Sequence, residues 1–292
     1  MSQRQIWETT KRLSFNTRTW CRYCFIFLIS FCLVFLPACR KRGTALLDRA
    51  QTAWDAADYG TAAARYEDFL RDSPRDEQAA SARFKAANIY LFNLHEYESA
   101  IQQYIHLIED FPNFPEIMQA RQRLAQSYAS AKKTREAIME YENLLQLTQE
   151  TTDKRLLRLN VADLYYELNE LGQALAEYHK VITNSPYDEL SERAQIRIGG
   201  IHLLRDEFDE AIPAYQIVIS STKDNDLRRL AQYGLADCYE RTFQYDKAVS
   251  VLEQVAPDPK TPEYISRRIS TIRDLQRQRN LTVPAEAFRK RK

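Results

Sequence analysis

Tyr97-Glu-Ser-Ala-Ile-Gln-Gln-Tyr-Ile-His-Leu-Ile-Glu-Asp-Phe-Pro112 is one copy of a pattern that runs through most of the chain. Its anchor is Ala100, with Tyr104 four residues later and Pro112 twelve later. The same alanine recurs as Ala62, Ala137, Ala174, Ala211 and Ala248, at spacings of 38 from Ala62 to Ala100 and 37 thereafter. The aromatic recurs as Tyr66, Tyr141, Tyr178 and Tyr215, with Leu252 in the sixth copy; Pro74 and Pro186 repeat the proline. A second series precedes each anchor: Ala50, Ala87, Ala125, Ala162, Gly199 and Ala236. Three residues after these stand Ala53, Tyr90, Tyr128, Tyr165, His202 and Tyr239.

A small residue, a tyrosine three later, a turn, then Ala, an aromatic and Pro resembles the tetratricopeptide repeat, a helix–turn–helix hairpin of about 34 residues. The units here are about three residues longer. The residue types follow from packing. Small residues stand where the two helices of a hairpin cross, and a larger side chain there would overpack by ~1–3 kcal/mol. The tyrosines fill the space between hairpins and read as core. The prolines close the second helix, because proline cannot continue the hydrogen-bond ladder. No hairpin buries its apolar face alone, so stacking builds one continuous core. The fold expected is all-α: a right-handed solenoid of six repeats over residues 44–256 with a C-terminal capping helix over 257–280.

The spacing places first (A) helices near 44–57, 77–94, 115–131, 153–168, 190–204 and 226–242. Second (B) helices fall near 59–72, 96–110, 134–147, 171–184, 208–221 and 245–255. Pro213 either bends the fifth B helix or marks a later start. After Pro257, Pro259 and Pro262 an arginine-rich helix near 262–279 suits the polar cap that a solenoid end requires. The basic segment 281–292, ending Arg289-Lys-Arg-Lys292, is expected to be a flexible tail.

With 292 residues, 45% hydrophobic side chains and only 6 glycines, the chain can bury a large helical core. Residues 1–38 carry five basic side chains and one acidic, leaving 36 basic and 39 acidic in the remainder, a net of −3. That balance provides no strongly basic face for nucleic acid. Four of the five cysteines lie at or before residue 39 and only Cys238 is in the body, which excludes a disulfide scaffold within one chain. Cys21-x-x-Cys24 has redox or metal spacing but sits in a segment expected to be removed.

Residues 23–38 form an uncharged apolar run with basic residues before it and Arg40, Lys41 and Arg42 after it. The run is short for a membrane span of about 20 residues and fits the apolar region of a secretory signal. Its ending, Leu36-Pro37-Ala38-Cys39, resembles the lipobox of bacterial lipoproteins, with Pro37 an uncommon residue at its position. The resemblance implies lipidation of Cys39, cleavage after residue 38 and a short tether over 39–43. Each buried methylene contributes about 0.8 kcal/mol, so two or more acyl chains anchor stably. In the sorting rule of that family an Asp after the cysteine retains the protein in the inner membrane; Arg40 implies the periplasmic face of the outer membrane.

No constellation for catalysis is legible. There is no glycine-rich phosphate loop and no serine nucleophile elbow, and His95, His106, His179 and His202 fall in different units without ligand spacing. The sequence predicts no enzyme, cofactor, metal or small-molecule substrate. It predicts protein partners gripped in a concave groove lined by the A helices. The candidate groove residues are Phe84, Asn88, Leu91, Gln122, Leu159, Tyr166, Ile196 and Tyr233. They are mostly apolar or aromatic, suited to a peptide with hydrophobic anchors.

A lipobox followed by this solenoid resembles the outer-membrane protein assembly factor BamD family, most closely over Tyr59–Pro74 and Tyr97–Pro112. That resemblance implies a periplasmic lipoprotein that docks a barrel-insertion machine and contacts unfolded barrel-protein segments. The chain departs from it by repeating evenly to residue 255. Lipidated pilotins, which help assemble a secretin, and CpoB-like cell-division or cell-wall adaptors are similar too.

Overall fold

The computed structural model describes residues 43–149, 151–183, 188–256 and 263–289; residues 1–42, with the leader and Cys39, lie outside them. The described residues are helices and turns, with no strand among them. They fall into two compact units, one ending at Ala131 and the other starting at Lys132. The first holds α1 (43–55), α2 (Tyr59–Asp72), α3 (Ala79–Ile89), α4 (Tyr97–Asp110) and α5 (Ile117–Ser130). The second holds α6 (Thr134–Leu147), α7 (Thr151–Glu167), α8 (Leu171–Ile182), α9 (Glu189–Leu204), α10 (Phe208–Ser221), α11 (Asn225–Arg241), α12 (Tyr245–Glu253) and α13 (Tyr264–Arg289). A and B helices alternate, as the period requires. The last helix continues to Arg289, past the boundary near 280 that the sequence suggests, so much of the segment expected to be a flexible tail is helical.

The small residues lie where the pattern puts them. All six anchor alanines, Ala62 to Ala248, are fully buried, as are the five alanines of the A-helix series. The B-helix tyrosines and Leu252 are buried with them. In the first unit these residues form one cluster with Phe69, Ile89, Ile101 and Leu107. In the second they form successive clusters, around Tyr178, around Tyr215 and around Leu252 with Ile272 of the cap. The tyrosines therefore pack between hairpins and are not available for stacking on a ligand.

Each A-to-B turn uses one residue at positive φ, two positions before the B helix: Ala57, His95, Lys132, Asn169, Asp206 and Phe243. None is glycine, although left-handed backbone favours glycine. The turn is held by the amide that follows, which donates back into the A helix: Asp58 to the Ala53 carbonyl at 2.9 Å, Glu170 to Tyr165 at 2.9 Å, Glu207 to His202 at 2.9 Å and Gln244 to Tyr239 at 2.7 Å. Such a bond satisfies a carbonyl at the helix end. The carbonyls used belong to the series three residues after each small residue, so that series also closes its helix.

The one unequal spacing has a local cause. Twelve residues separate Ala50 from Ala62, but thirteen separate Ala87 from Ala100. The extra residue is taken up by a π-helical turn, Tyr90–Leu94, at the end of α3. There the closing bond runs from the Glu96 amide to the Tyr90 carbonyl, six residues back where its counterparts run five. A single-turn π-bulge is how a helix absorbs an inserted residue.

Helix ends follow the local chemistry. α2 and α4 stop at Asp72 and Asp110, because the residue before Pro74 or Pro112 is disfavoured in helical backbone. Asp58, Asp188 and Asp224 cap α2, α9 and α11 by accepting from amides of the first turn. Pro213 lies inside α10, so the later start is not taken. Arg155 of α7 is buried and ties two elements together: Nε donates to the Val181 carbonyl at 2.7 Å, and Nη2 donates to Asp188 Oδ1 at 2.7 Å and Ser191 Oγ at 2.8 Å. This one guanidinium joins the end of α8 to the start of α9. It also holds the Asp188 carboxyl down at about 2.

Candidate functional site

Within each unit the A helices pack side by side, and one recurring arrangement organises the face they present. The residue after the small residue is, in turn, Gln51, Asn88, Gln126, Asp163, Gly200 and Asp237, and three of these, Asn88, Asp163 and Asp237, accept bonds from neighbouring helices. In the second and fourth hairpins the B-helix tyrosine of the same hairpin reaches it. Tyr104 donates its hydroxyl proton to Asn88 Oδ1 at 2.6 Å, and Tyr178 donates to Asp163 Oδ1 at 2.5 Å. The next helix along then supplies an arginine to the same acceptor. Arg123 bonds Asn88, Arg197 meets Asp163 at 3.2 Å and Arg268 of the cap bonds Asp237. Asn88 and Asp163 are thus junctions between their own hairpin and the following one, while Asp237, whose hairpin carries Leu252 in the tyrosine's place, is tied to the cap alone. Burial raises the Tyr104 and Tyr178 phenols, and the Asp163 carboxylate adds to the effect at Tyr178.

The arginines also cover aromatic rings. The Arg123 guanidinium sits 4.8 Å from the Phe84 ring centroid and 5.4 Å from that of Phe92. Arg197 sits 5.5 Å from Tyr166. A second tie runs on the other side of the A helices. Tyr90 donates to Glu67 at 2.8 Å and Tyr165 to Glu142 at 3.2 Å, while Gln216 reaches the Tyr239 hydroxyl at 3.5 Å. All three span 23 residues, so the hydrogen bonds repeat with the sequence.

The groove residues proposed from sequence divide on these contacts. Gln122 is exposed, and Phe84, Tyr166, Ile196 and Tyr233 are half-buried. Phe84 packs against Phe114 and Tyr104, and Tyr233 packs edge-on against Tyr264 of the cap at 5.4 Å. Asn88 is committed to Tyr104 and Arg123. Leu91 and Leu159 are a correction: at 3% and 1% exposed they are core. Leu91 enters the core at the widened π turn. Leu159 lies one turn before Ala162, where α7 and α8 approach closely, and joins Tyr178 and Ala174. The sequence reading missed Arg123, Arg197 and Arg268. Their recurrence two residues before a small residue, at Arg123 and Arg197, is the only signal that could have found them.

In the fifth hairpin the position is a glycine. At Gly200 the Tyr215 hydroxyl has no side-chain acceptor, and the facing residue on α11 is Gly234. Tyr215 is 4% exposed, and its ring lies where side chains at Gly199 and Gly234 would be, 3.0 Å and 2.2 Å from their ideal Cβ positions. A Cβ on Gly200 would stand at ordinary contact distance, 3.8 Å from the Tyr215 hydroxyl. Burial raises this phenol, with smaller effects from Cys238 and Tyr166. Cys238 is itself buried and free, its thiol pushed up to about 11 by burial.

Among the described residues no group of three or more His, Cys, Asp or Glu is placed to hold a metal ion. No described helix is long and apolar enough to cross a membrane.

A sequence family described as tetratricopeptide repeat matches residues 47–104, 159–226 and 202–262. No curated protein matches the chain. Among solved structures, the chain is similar to a tetratricopeptide repeat protein from Parabacteroides merdae ATCC 43184, at 15% identity and a TM-score of 0.58, covering 82% of this chain and 89% of that one. It is also similar to MamA protein, at 19% identity and a TM-score of 0.50, covering 62% of this chain and 91% of that one. At these identities the likeness is one of fold.

Proposed function

Because the chain belongs to the tetratricopeptide repeat family, whose stacked hairpins form a scaffold for protein–protein interaction, we propose that it is a non-catalytic adaptor held by lipid on the periplasmic face of the outer membrane, where it serves as a subunit of a barrel-protein assembly machine. The observation that carries the anchor is Leu36-Pro37-Ala38-Cys39 at the end of an apolar leader and four residues before the first described helix. An anchored array places its A-helix face at a fixed distance from the membrane, which suits a subunit that hands protein segments to an insertion complex.

Intact-mass analysis of the membrane-extracted protein beside a Cys39→Ala variant tests the anchor. The expected result is a chain starting at Cys39 with added acyl mass, and a variant that stays a precursor. A wild-type chain without lipid sinks both the anchor and the outer-membrane role. Affinity purification in detergent then tests the partner. Barrel-assembly subunits support the reading; a secretin or peptidoglycan-synthesis enzymes would replace it with a pilotin-like or cell-wall role.

A further inference from the structure

The last turn of the array carries an aromatic ring that the core does not use. Six A-to-B turns each hold one residue in left-handed backbone, and five of them place Ala57, His95, Lys132, Asn169 or Asp206 there. The sixth places Phe243, at φ 61°, and its side chain is 57% exposed. A bulky residue disfavours that backbone, and such conformations concentrate at functional sites. The ring meets the Arg279 guanidinium, 3.9 Å from its centroid, and Tyr245, edge-on at 6.3 Å. These groups line a cleft of about 470 Å³ between the start of α12 and the far part of α13.

The cleft is cationic with an apolar rim. Lys247 donates to Gln244 at 2.7 Å and has no carboxylate partner among the described residues. Asp246, the acid on the wall, accepts from Gln276 at 2.9 Å. Lys247 and Arg279 thus set two positive charges against one negative. Leu281, the next residue past the wall, is 79% exposed, the highest value for a large apolar side chain among the described residues. Residues 261–292 carry nine basic and three acidic side chains, whereas residues 39–260 carry 27 and 36. Exposed apolar groups beside cations, on a basic stretch of an otherwise acidic chain, match a membrane interface. There apolar side chains enter at the acyl boundary and cations stay level with the phosphates. Single-stranded nucleic acid would stack a base on the ring, but Arg279 lies over it.

We propose that this cleft takes the phosphate of an anionic phospholipid headgroup between Lys247 and Arg279, with Phe243 and Leu281 entering the membrane interface. The volume suits a headgroup, since small-molecule sites occupy roughly 300–1,000 Å³. A guanidinium offers a fork of donors to phosphate oxygens while its plane stays stacked on a ring. This contact goes beyond the scaffold reading and does not depend on Cys39, because a chain without an acyl anchor would still make it.

The full chain is reconstituted with vesicles of phosphatidylcholine alone and of phosphatidylcholine with phosphatidylglycerol, and amide hydrogen exchange is followed by mass spectrometry. Neutral vesicles carry any attachment made by the N-terminus, so the difference between the two isolates the lipid charge. Gln244 offers no side-chain cap to α12, so the first amides of that helix exchange readily and report on the cleft. Exchange over residues 243–247 is expected to slow about tenfold or more in the anionic vesicles. Phe243→Asn, Lys247→Gln and Arg279→Gln should each remove most of that effect. Phe243→Asn keeps the turn, since Asn169 holds the same position in another hairpin, and unchanged exchange in α11 verifies that each variant is folded. Arg273→Gln removes a cation of the same helix that is paired with Glu253 at 3.0 Å, and should leave the protection in place. Equal exchange in the two vesicle types overturns the proposal. Equal loss of protection in Arg273→Gln reduces the effect to general charge attraction and overturns the cleft. Protection in neutral vesicles by glycerol phosphate, or by an oligonucleotide, assigns the site to a free phosphate ester or to nucleic acid and overturns the membrane contact. None of these outcomes bears on the acyl anchor, which the mass of the protein tests.

Discussion

Replacing Gly234 with alanine sets two effects against each other in one methyl group. In a helix interior alanine is favoured over glycine by ~0.5–1 kcal/mol. Gly234 lies inside α11, so propensity alone predicts a more stable protein. The added Cβ, however, would stand 2.2 Å from Tyr215 Cζ, 2.5 Å from Cε1 and 2.7 Å from Cε2. Carbon atoms pack best at about 3.5–4.0 Å, so the ring or the helix must move by more than about 1 Å. The ring cannot swing away cheaply, because it is buried and lies against α9 on its other side, where even a Cβ on Gly199 would stand only 3.0 Å from it. Overpacking of this kind costs ~1–3 kcal/mol. The upper part of that range applies here, and the net loss expected is about 1–2 kcal/mol, some 2–4 °C in Tm per kcal/mol for a domain of this size. The assay is urea unfolding followed by far-UV circular dichroism, with Gly172→Ala as control, since nothing lies within 4 Å of a Cβ there. Gly172→Ala should be neutral or stabilising. Tyr215→Leu should shrink the cost of Gly234→Ala, because the shorter side chain vacates the ring's place. A Gly234→Ala protein as stable as wild type would refute the wedge.

Three further outcomes are expected. Deleting Asn93, a half-buried residue of the π turn, restores the twelve-residue spacing of the other hairpins and should leave the protein as stable as before or more so; a large drop in unfolding midpoint would show that the widened turn is itself required. Asp188 is held at about 2 by its Arg155 partner, below the ~3.9 of an unfolded carboxyl, so its contribution is present above pH ~4 and lost as pH falls through about 2. The stability difference between wild type and Arg155→Met should therefore narrow from pH 5 to pH 2, and a constant difference would count against the pair. With the other four cysteines replaced by serine, Cys238 should resist a thiol reagent at pH 7.5 until urea unfolds the chain, because burial both raises and shields its thiol; rapid native labelling would place it at the surface.

The alternation of helices was legible because it depends on residue type at single positions. An alanine at a helix crossing tolerates no substitute of another size, so Ala62 through Ala248 mark every B helix without reference to anything distant. The junction residues were not legible for the opposite reason. Asn88 and Asp163 are ordinary polar residues on their own helices, and what defines them is a tyrosine about 15 residues away and an arginine more than 30 away; Asp237 is defined by its distant arginine alone. Leu91 and Leu159 were assigned to the groove from register alone, but how deep a helix face sits depends on the neighbouring hairpin. The π turn was announced only by a spacing of 38 among 37s, which a longer loop would equally have satisfied.

That same turn shows how much irregularity the array can absorb. Five hairpins share one interval between their two small residues, and the sixth exceeds it by a single residue. A helix that holds one residue more than its counterparts must lengthen a loop, shift its face or widen a turn, and here it widens a turn. The extra residue is contained within one helical turn: Glu96 still closes on the Tyr90 carbonyl, and the anchor alanines downstream keep their 37-residue spacing. In this chain the tolerance to a change of length resides in the end of a helix, not in its loops.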